Sequence, residues 1–245
     1  MADGIAASIP AGMGFGDVLM HGPALEALVV EHVTVEHHYA DLARRLALAP
    51  SVEGGPTTHW GSVYSRDMLV LDPLTPRAEL FARAGGVDPS SLKPFTRVNA
   101  AVSGDYIAIF PAAYEGRRSL SCGREVADRI NALGISTHLI GRDGLPSLAS
   151  VVDEIATARA VIAVDSGPMH IAAVLGVPLV ACFTHVWPQS RLTWMGDGTR
   201  ITLTPPGWGT PPLAPGELDP QPRGNSYDPE AIVAALECVL EAACV

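Results

Sequence analysis

A chain of 245 residues, 48% of them hydrophobic and 17% charged, can bury a sizeable core as one large domain or two small ones. Its formal net charge of −10 excludes a protein that wraps nucleic acid over its whole surface, because phosphate binding needs clustered lysine and arginine. A local basic pocket for a phosphorylated small molecule stays compatible with that charge. The cysteines Cys122, Cys182, Cys238 and Cys244 form no Cys-x-x-Cys pair and no zinc spacing, so they read as reduced thiols. The start, Met1-Ala2-Asp3-Gly4, lacks the basic n-region of a signal peptide. The longest strongly apolar run, residues 171–183, falls short of the ~20 residues of a spanning helix. The expectation is a cytoplasmic protein, or one peripheral at the inner membrane face, with no transmembrane segment.

In chain order, residues 5–9, 32–37 and 68–71 are strand candidates. Residues 18–30 carry helical periodicity after a Gly-rich turn, and residues 39–48 and 76–84 are further helices, the last stopped by Gly85-Gly86. Residues 88–103 have turn chemistry and little periodicity, which reads as a linker. Strands then alternate with helices: strands at 106–110, 137–140, 161–164 and 179–183, helices at 122–133, 147–158 and 170–175. Near-continuous apolar strands in that alternation predict an α/β fold with a parallel sheet covered on both faces, in a Rossmann-like domain. Residues 205–222, rich in Pro and Gly, read as a long surface loop. Asp228-Pro229-Glu230 then opens a terminal helix that runs through Val239.

The chemistry concentrates in two places. Asp165-Ser166-Gly167-Pro168-Met169-His170 follows a strand apolar enough for mid-sheet, at the end where open parallel sheets bind ligands. Gly167 permits close backbone approach, Pro168 suits a first helical turn, and the free amides and dipole of that turn favour an anion. His170 could add a donor to the same group. Any one of these residues alone reads as an ordinary cap; together they point to an anion site. The second stretch is Gly12-Met13-Gly14-Phe15-Gly16-Asp17-Val18-Leu19, followed by Pro23-Ala24-Leu25. Its spacing is not the dinucleotide fingerprint, and Asp17 taken alone is a first-turn acid facing the helix dipole.

Residues 165–183, Asp-Ser-Gly-Pro-Met-His-Ile-Ala-Ala-Val-Leu-Gly-Val-Pro-Leu-Val-Ala-Cys-Phe, resemble the signature of glycosyltransferase family 9, the ADP-heptose:lipopolysaccharide heptosyltransferase-like family. The resemblance implies a GT-B fold, two Rossmann-like domains facing a cleft, with the donor held mainly by the C-terminal one. It extends, more loosely, from Ile5 to the terminal helix. Here it implies an abbreviated acceptor domain over residues 1–100 and a donor domain over 101–228. A terminal helix over 229–245 is expected to pack back on the first domain. Gly16-Asp17-Val18-Leu19 is similar to the family's Gly-Asp-Val-Leu motif, whose acid is the proposed catalytic base. Carried over, that base is Asp17.

The donor-binding set the resemblance implies is Gly14, Gly16, Asp165, Ser166, Gly167, Pro168, Met169 and His170. To these it adds Arg117 or Arg118, in the loop where the family places a basic residue on the donor phosphates. After Ile140-Gly141 the family has a Glu and a further strand–helix unit; this chain has Arg142-Asp143-Gly144. Asp143 either replaces that Glu at the ribose or is a plain turn residue. The implied reaction is inverting and metal-independent, with a nucleotide-diphosphate-sugar as substrate and no cofactor. The acceptor is a glycan or glycolipid hydroxyl, with a nucleic-acid acceptor left open. His21, Trp60, His185, Trp187 and Trp194 are cleft candidates by position or by sugar-stacking chemistry, although each such residue is more often a packed or surface side chain. His37-His38 reads as a strand end. The rivals are a non-catalytic nucleotide-binding module, a GT-B epimerase or hydrolase, and a transferase acting on a nucleic acid or protein.

Overall fold

The computed structural model describes residues 5–64, 75–97, 104–113, 118–141, 147–184, 186–206 and 227–243. Two parallel sheets organise the chain. In the first, β1 (Ile5–Ser8), β2 (Val30–Val35) and β3 (Ser51–Gly54) pair in the order β1-β2-β3. In the second, β4 (Tyr106–Phe110), β5 (Ser136–Leu139), β6 (Ala160–Val164), β7 (Leu179–Cys182) and β8 (Arg200–Leu203) take the order β5-β4-β6-β7-β8. Every pairing is parallel. The central β6, Ala-Val-Ile-Ala-Val, is buried at all five positions, as a strand covered on both faces must be.

The helices are α1 (Phe15–Met20), α2 (Gly22–Ala27), α3 (Ala40–Arg45) and α4 (Arg77–Ala84) beside the first sheet. Around the second lie α5 (Gly123–Ala132), α6 (Leu148–Thr157), α7 (Gly167–Val174), α8 (Pro188–Leu192) and α9 (Pro229–Ala242). The helix expected over residues 18–30 is two short ones. His21 separates them, and Pro23, which has no N–H to give a preceding turn, sits at the start of α2. Helix α7 begins at Gly167, three residues before the expected start, because Pro168 fits its first turn.

Three further differences concern packing. The third strand of the first sheet is Ser51–Gly54, whose half-exposed Ser-Val-Glu-Gly has only Val52 to mark it; the candidate at 68–71 lies outside the described residues. Residues 88–97 are no free linker. Asp88 caps a 3₁₀ turn at Pro89–Ser91, and Phe95 is fully buried. The Phe95 amide donates to the Trp194 carbonyl at 2.9 Å, and the Gly196 amide donates to the Phe95 carbonyl at 3.0 Å. A Cβ on Gly22 would meet the Phe95 ring at 2.5 Å, so glycine there makes room for the plug.

The third correction concerns α9. It packs on α5 and on β6, β7 and β8, not on the first sheet. Its Ile232, Leu236 and Val239 share a cluster with Ile107, Ile109 and Val180 of the second sheet, and its Glu230 pairs with Arg129 of α5. An apolar stripe finds the nearest large apolar face, and here that face belongs to the second sheet.

The two sheets share one core. Helix α1 packs on α7 and α3 on α6, so Phe15, Val18 and Leu19 join Met169, Ile171 and Val174 in a continuous cluster. Close approach of α1 to α7 depends on Gly16, where a Cβ would lie 2.4 Å from the His170 ring. That contact sets Asp17 opposite the start of α7.

Candidate active site between the two sheets

Between β4 and β6 the strand order reverses, since β5 lies on one side of β4 and the chain returns to β6 on the other. In such sheets the ligand crevice opens beyond the carboxyl ends of the strands flanking the reversal. A cavity of about 620 Å³ occupies that place and extends to the first half of the chain. That is the size of an ordinary small-molecule site. Gly14, Phe15, Gly16, Asp17, His38 and Tyr39 line one wall; Arg118, Asp165, Ser166, Gly167, Pro168, His170 and Arg191 line the other.

Asp165 follows the last residue of β6 and is 3% exposed. Arg118 Nη1 donates to its Oδ2 at 3.2 Å and lies 3.4 Å from its carbonyl oxygen. His170 Nε2 stands 3.8 Å from its Oδ1, and Arg191 Nε 4.0 Å from its Oδ2. Burial alone would raise the Asp165 pKa, but Arg191, His170 and Arg118 outweigh it and hold the carboxyl well below the usual carboxylate range. Ser166 is the N-cap of α7, although its hydroxyl turns back to the Val164 carbonyl at 3.0 Å, so no side chain caps the helix. The start of α7 therefore keeps its N-terminal field for the cavity.

Asp17, in the first turn of α1, faces this group. Arg77 of α4 donates to its Oδ1 at 2.7 Å, and Arg191 Nη1 reaches the same oxygen at 3.5 Å. Burial works to raise the Asp17 pKa; Arg77, Arg191 and His170 overcome it and lower it below the ordinary value. Asp17 is thus an ionised carboxylate at neutral pH, in reach of a ligand in the cavity.

His21 supports that placement from below. It is 7% exposed and stacks on Phe81, with centroids 3.9 Å apart. Its Nδ1 donates to the Asp17 carbonyl at 2.8 Å, since a carbonyl can only accept, and Tyr64 Oη then donates to Nε2 at 2.8 Å. The acceptor role of Nε2 requires the neutral ring, and burial pushes the pKa from 6.5 down to about 4. A folded-state pKa below the unfolded one means that the unfolded chain binds more protons between those values. The stability from neutral His21 is therefore present above about pH 6.5 and is lost as the pH falls towards about 4. Urea midpoints across that window are expected to fall with pH, and His21→Asn to flatten the slope; an unchanged slope would contradict this role.

The structure brings Gly14, Gly16, Asp17, Arg118, Asp165, Ser166, Gly167, Pro168 and His170 to one cavity, as the sequence suggests. Met169 is fully buried in the core and is not among the lining residues. Arg117, Asp143 and His185 lie outside the described residues. The remaining cleft candidates serve elsewhere: Trp187 is buried in the core, Trp194 Nε1 donates to Glu79 at 3.0 Å, and Trp60 packs beside His59. Four residues were missed by sequence reasoning: Arg77, Arg191, His38 and Tyr39. Arg191 could have been found, because it follows the carboxyl end of β7 by the same rule that finds Asp165. Arg77 carries no such signal; only the packing of α4 on α1 brings it to Asp17.

No curated protein sequence matches the chain. Among solved structures, ADP-heptose LPS heptosyltransferase II of E. coli aligns with a TM-score of 0.71 at 14% identity, covering 99% of this chain and 100% of that one. A glycosyl transferase family 9 protein from Veillonella parvula DSM 2008 aligns at 0.66 and 16%, covering 97% of each. The E. coli heptosyltransferase WaaC with ADP aligns at 0.55 and 17%, covering 83% of this chain and 94% of that one. At these identities the likeness is one of fold, the GT-B arrangement of two α/β halves around a cleft. Residues 105–201, from the start of β4 into β8, match the family model for glycosyltransferase family 9 (heptosyltransferase). That match covers the second sheet and the cavity wall it carries, less than half of the chain, and over those residues the protein is similar to the glycosyltransferases of that family.

Proposed function

We propose that this enzyme moves a sugar from a nucleotide-diphosphate-sugar to an acceptor hydroxyl with inversion, without a metal, using Asp17 as general base. The observation that carries the reading is the opposition, across one cavity, of an ionised Asp17 and a cationic, helix-terminated pocket at Arg118 and residues 165–170. An acceptor hydroxyl beside Asp17 gives its proton to the carboxylate as its oxygen bonds to the anomeric carbon. The bond from that carbon to the diphosphate oxygen breaks on the opposite face, and its electron pair leaves with the nucleoside diphosphate. Arg118, Arg191 and the start of α7 stand where that negative charge grows. Two guanidinium groups and a helix terminus supply the electrostatic role that a metal fills in other transferases. The ADP bound in the WaaC structure supports a nucleoside diphosphate as the leaving group. Asp165, fully ionised and clamped, orients the cations instead of acting as a second acid.

The test is product analysis with an accepted donor. Nucleoside diphosphate release is expected to continue at an unchanged rate in excess EDTA, and NMR of the product to show the inverted anomer. A rate lost to chelator and restored by magnesium or manganese, or a retained anomer, would contradict the mechanism.

A further inference from the structure

Arg191 sits between the two halves of the site in a way that neither Arg77 nor Arg118 does. It rises from α8, a five-residue helix after β7, and its side chain is 12% exposed. One end of its guanidinium is 3.5 Å from Asp17 Oδ1, and Nε is 4.0 Å from Asp165 Oδ2. The first distance is at the outer limit of a hydrogen bond and the second is beyond it. Nε is buried without a hydrogen-bond partner among the described residues. A guanidinium has five donors in a rigid fork, and leaving them poorly satisfied under burial is costly. Arg77, by contrast, binds Asp17 closely at 2.7 Å. Arg191 thus lines the same cavity as Ser166 and Gly167 at the start of α7, with its Nε unpartnered among the described residues. Planar bidentate recognition of phosphate is what such a fork does best.

We propose that Arg191 is a donor-diphosphate ligand held loosely between Asp17 and Asp165, and that its guanidinium passes to the diphosphate when the donor enters, freeing Asp17 for the acceptor. The inference rests on the glycosyl-transfer reading above. It removes a difficulty in that reading. Asp17 faces Arg77 from α4, Arg191 from α8 and His170 from α7, with His21 and Tyr39 behind it, and the cations make it a weak base. Neutralising Arg191 with phosphate takes away one of those cations and leaves Arg77 to fix the carboxylate in place. Base strength then rises only in the donor-loaded enzyme, and acceptor hydroxyls are not activated before a donor is present.

Isothermal titration with inorganic pyrophosphate and with ADP, on the wild type and on Arg191→Gln, Arg191→Lys, Asp17→Asn and the Asp17→Asn/Arg191→Gln double variant, tests it. Arg191→Gln is expected to weaken both ligands roughly 10-fold or more, the worth of a charged hydrogen bond, and Arg191→Lys to recover part of the loss. Asp17→Asn should tighten binding in the Arg191 background and do so far less with Gln at 191, a coupling that a double-mutant cycle reads directly. Wild-type affinity in Arg191→Gln, or an Asp17 effect independent of residue 191, would overturn the inference while leaving the donor site intact. If Arg191→Gln does not fold, Arg191→Lys decides: unchanged affinity and an unchanged Asp17 effect in that background overturn it. Failure of the wild type to bind either ligand would instead sink the donor-site reading itself.

Discussion

Asp17→Asn is expected to lower transfer by roughly 10²–10⁴-fold, the usual contribution of a general base, while nucleoside diphosphate still binds. The substitution keeps an oxygen that can accept from Arg77, so the contact at 2.7 Å survives in kind and α1 keeps its place. What it removes is the site for the acceptor proton. A non-catalytic nucleotide-binding relative would show no transfer in either protein, so the wild-type rate separates the two readings at once. Transfer in Asp17→Asn at the wild-type rate would take the base role away from Asp17. A loss of both binding and transfer would mean that Asp17 holds the site together instead of acting in it.

Asp165→Ala is expected to do something different: to remove donor binding and to destabilise the fold. The carboxylate is 3% exposed and is approached by Arg118, Arg191 and His170. Deleting one member of a buried ionic group costs about 3–5 kcal/mol, because the remaining charges lose their compensation. For a chain of this size that corresponds to a fall in Tm on the order of 10 °C. Asp165→Asn, which keeps the volume, should lose less stability and a similar share of donor affinity. A variant with unchanged Tm and unchanged affinity would show that the ionic group is incidental. Gains in stability as the pH rises above the acid range fit the same picture, since both Asp17 and Asp165 have folded pKa values below their ordinary ones. Their contribution is present above about pH 3.8 and is lost as the pH falls below it.

How much of this was legible in the sequence depends on the range of the interaction. Strands β4, β6 and β7 of the second sheet were readable because they are continuous apolar runs whose burial needs no partner to be guessed. Strands β3 and β8 were not, since half-exposed edge strands such as Ser-Val-Glu-Gly carry almost no pattern of their own. Phe95 looked like one aromatic in a turn-rich stretch, and only the hole left by Gly22 shows why it is there. At the site, the residues local to one strand-to-helix turn, Asp165 to His170, were found together, as was the Gly14 to Asp17 turn. The cations that meet them come from separate elements. Arg77 and Arg191 lie 60 and 174 positions from Asp17 in the chain, and a side chain that reaches a site by packing leaves no spacing to read. His21 left two readings open, cleft residue or packed side chain, and its neighbours Tyr64 and Phe81 decide for a buried support.

The central claim is that the cavity between Asp17 and Asp165 holds a nucleotide-sugar. Thermal-shift screening of the wild type against ADP-, UDP-, GDP- and dTDP-linked sugars tests it most directly. Ligand at about 100 times its Kd adds about 2.7 kcal/mol to the folded state, a rise in Tm on the order of 5–10 °C. The account predicts such a rise with at least one of these donors and its loss in Asp165→Ala; no rise with any of them would contradict it.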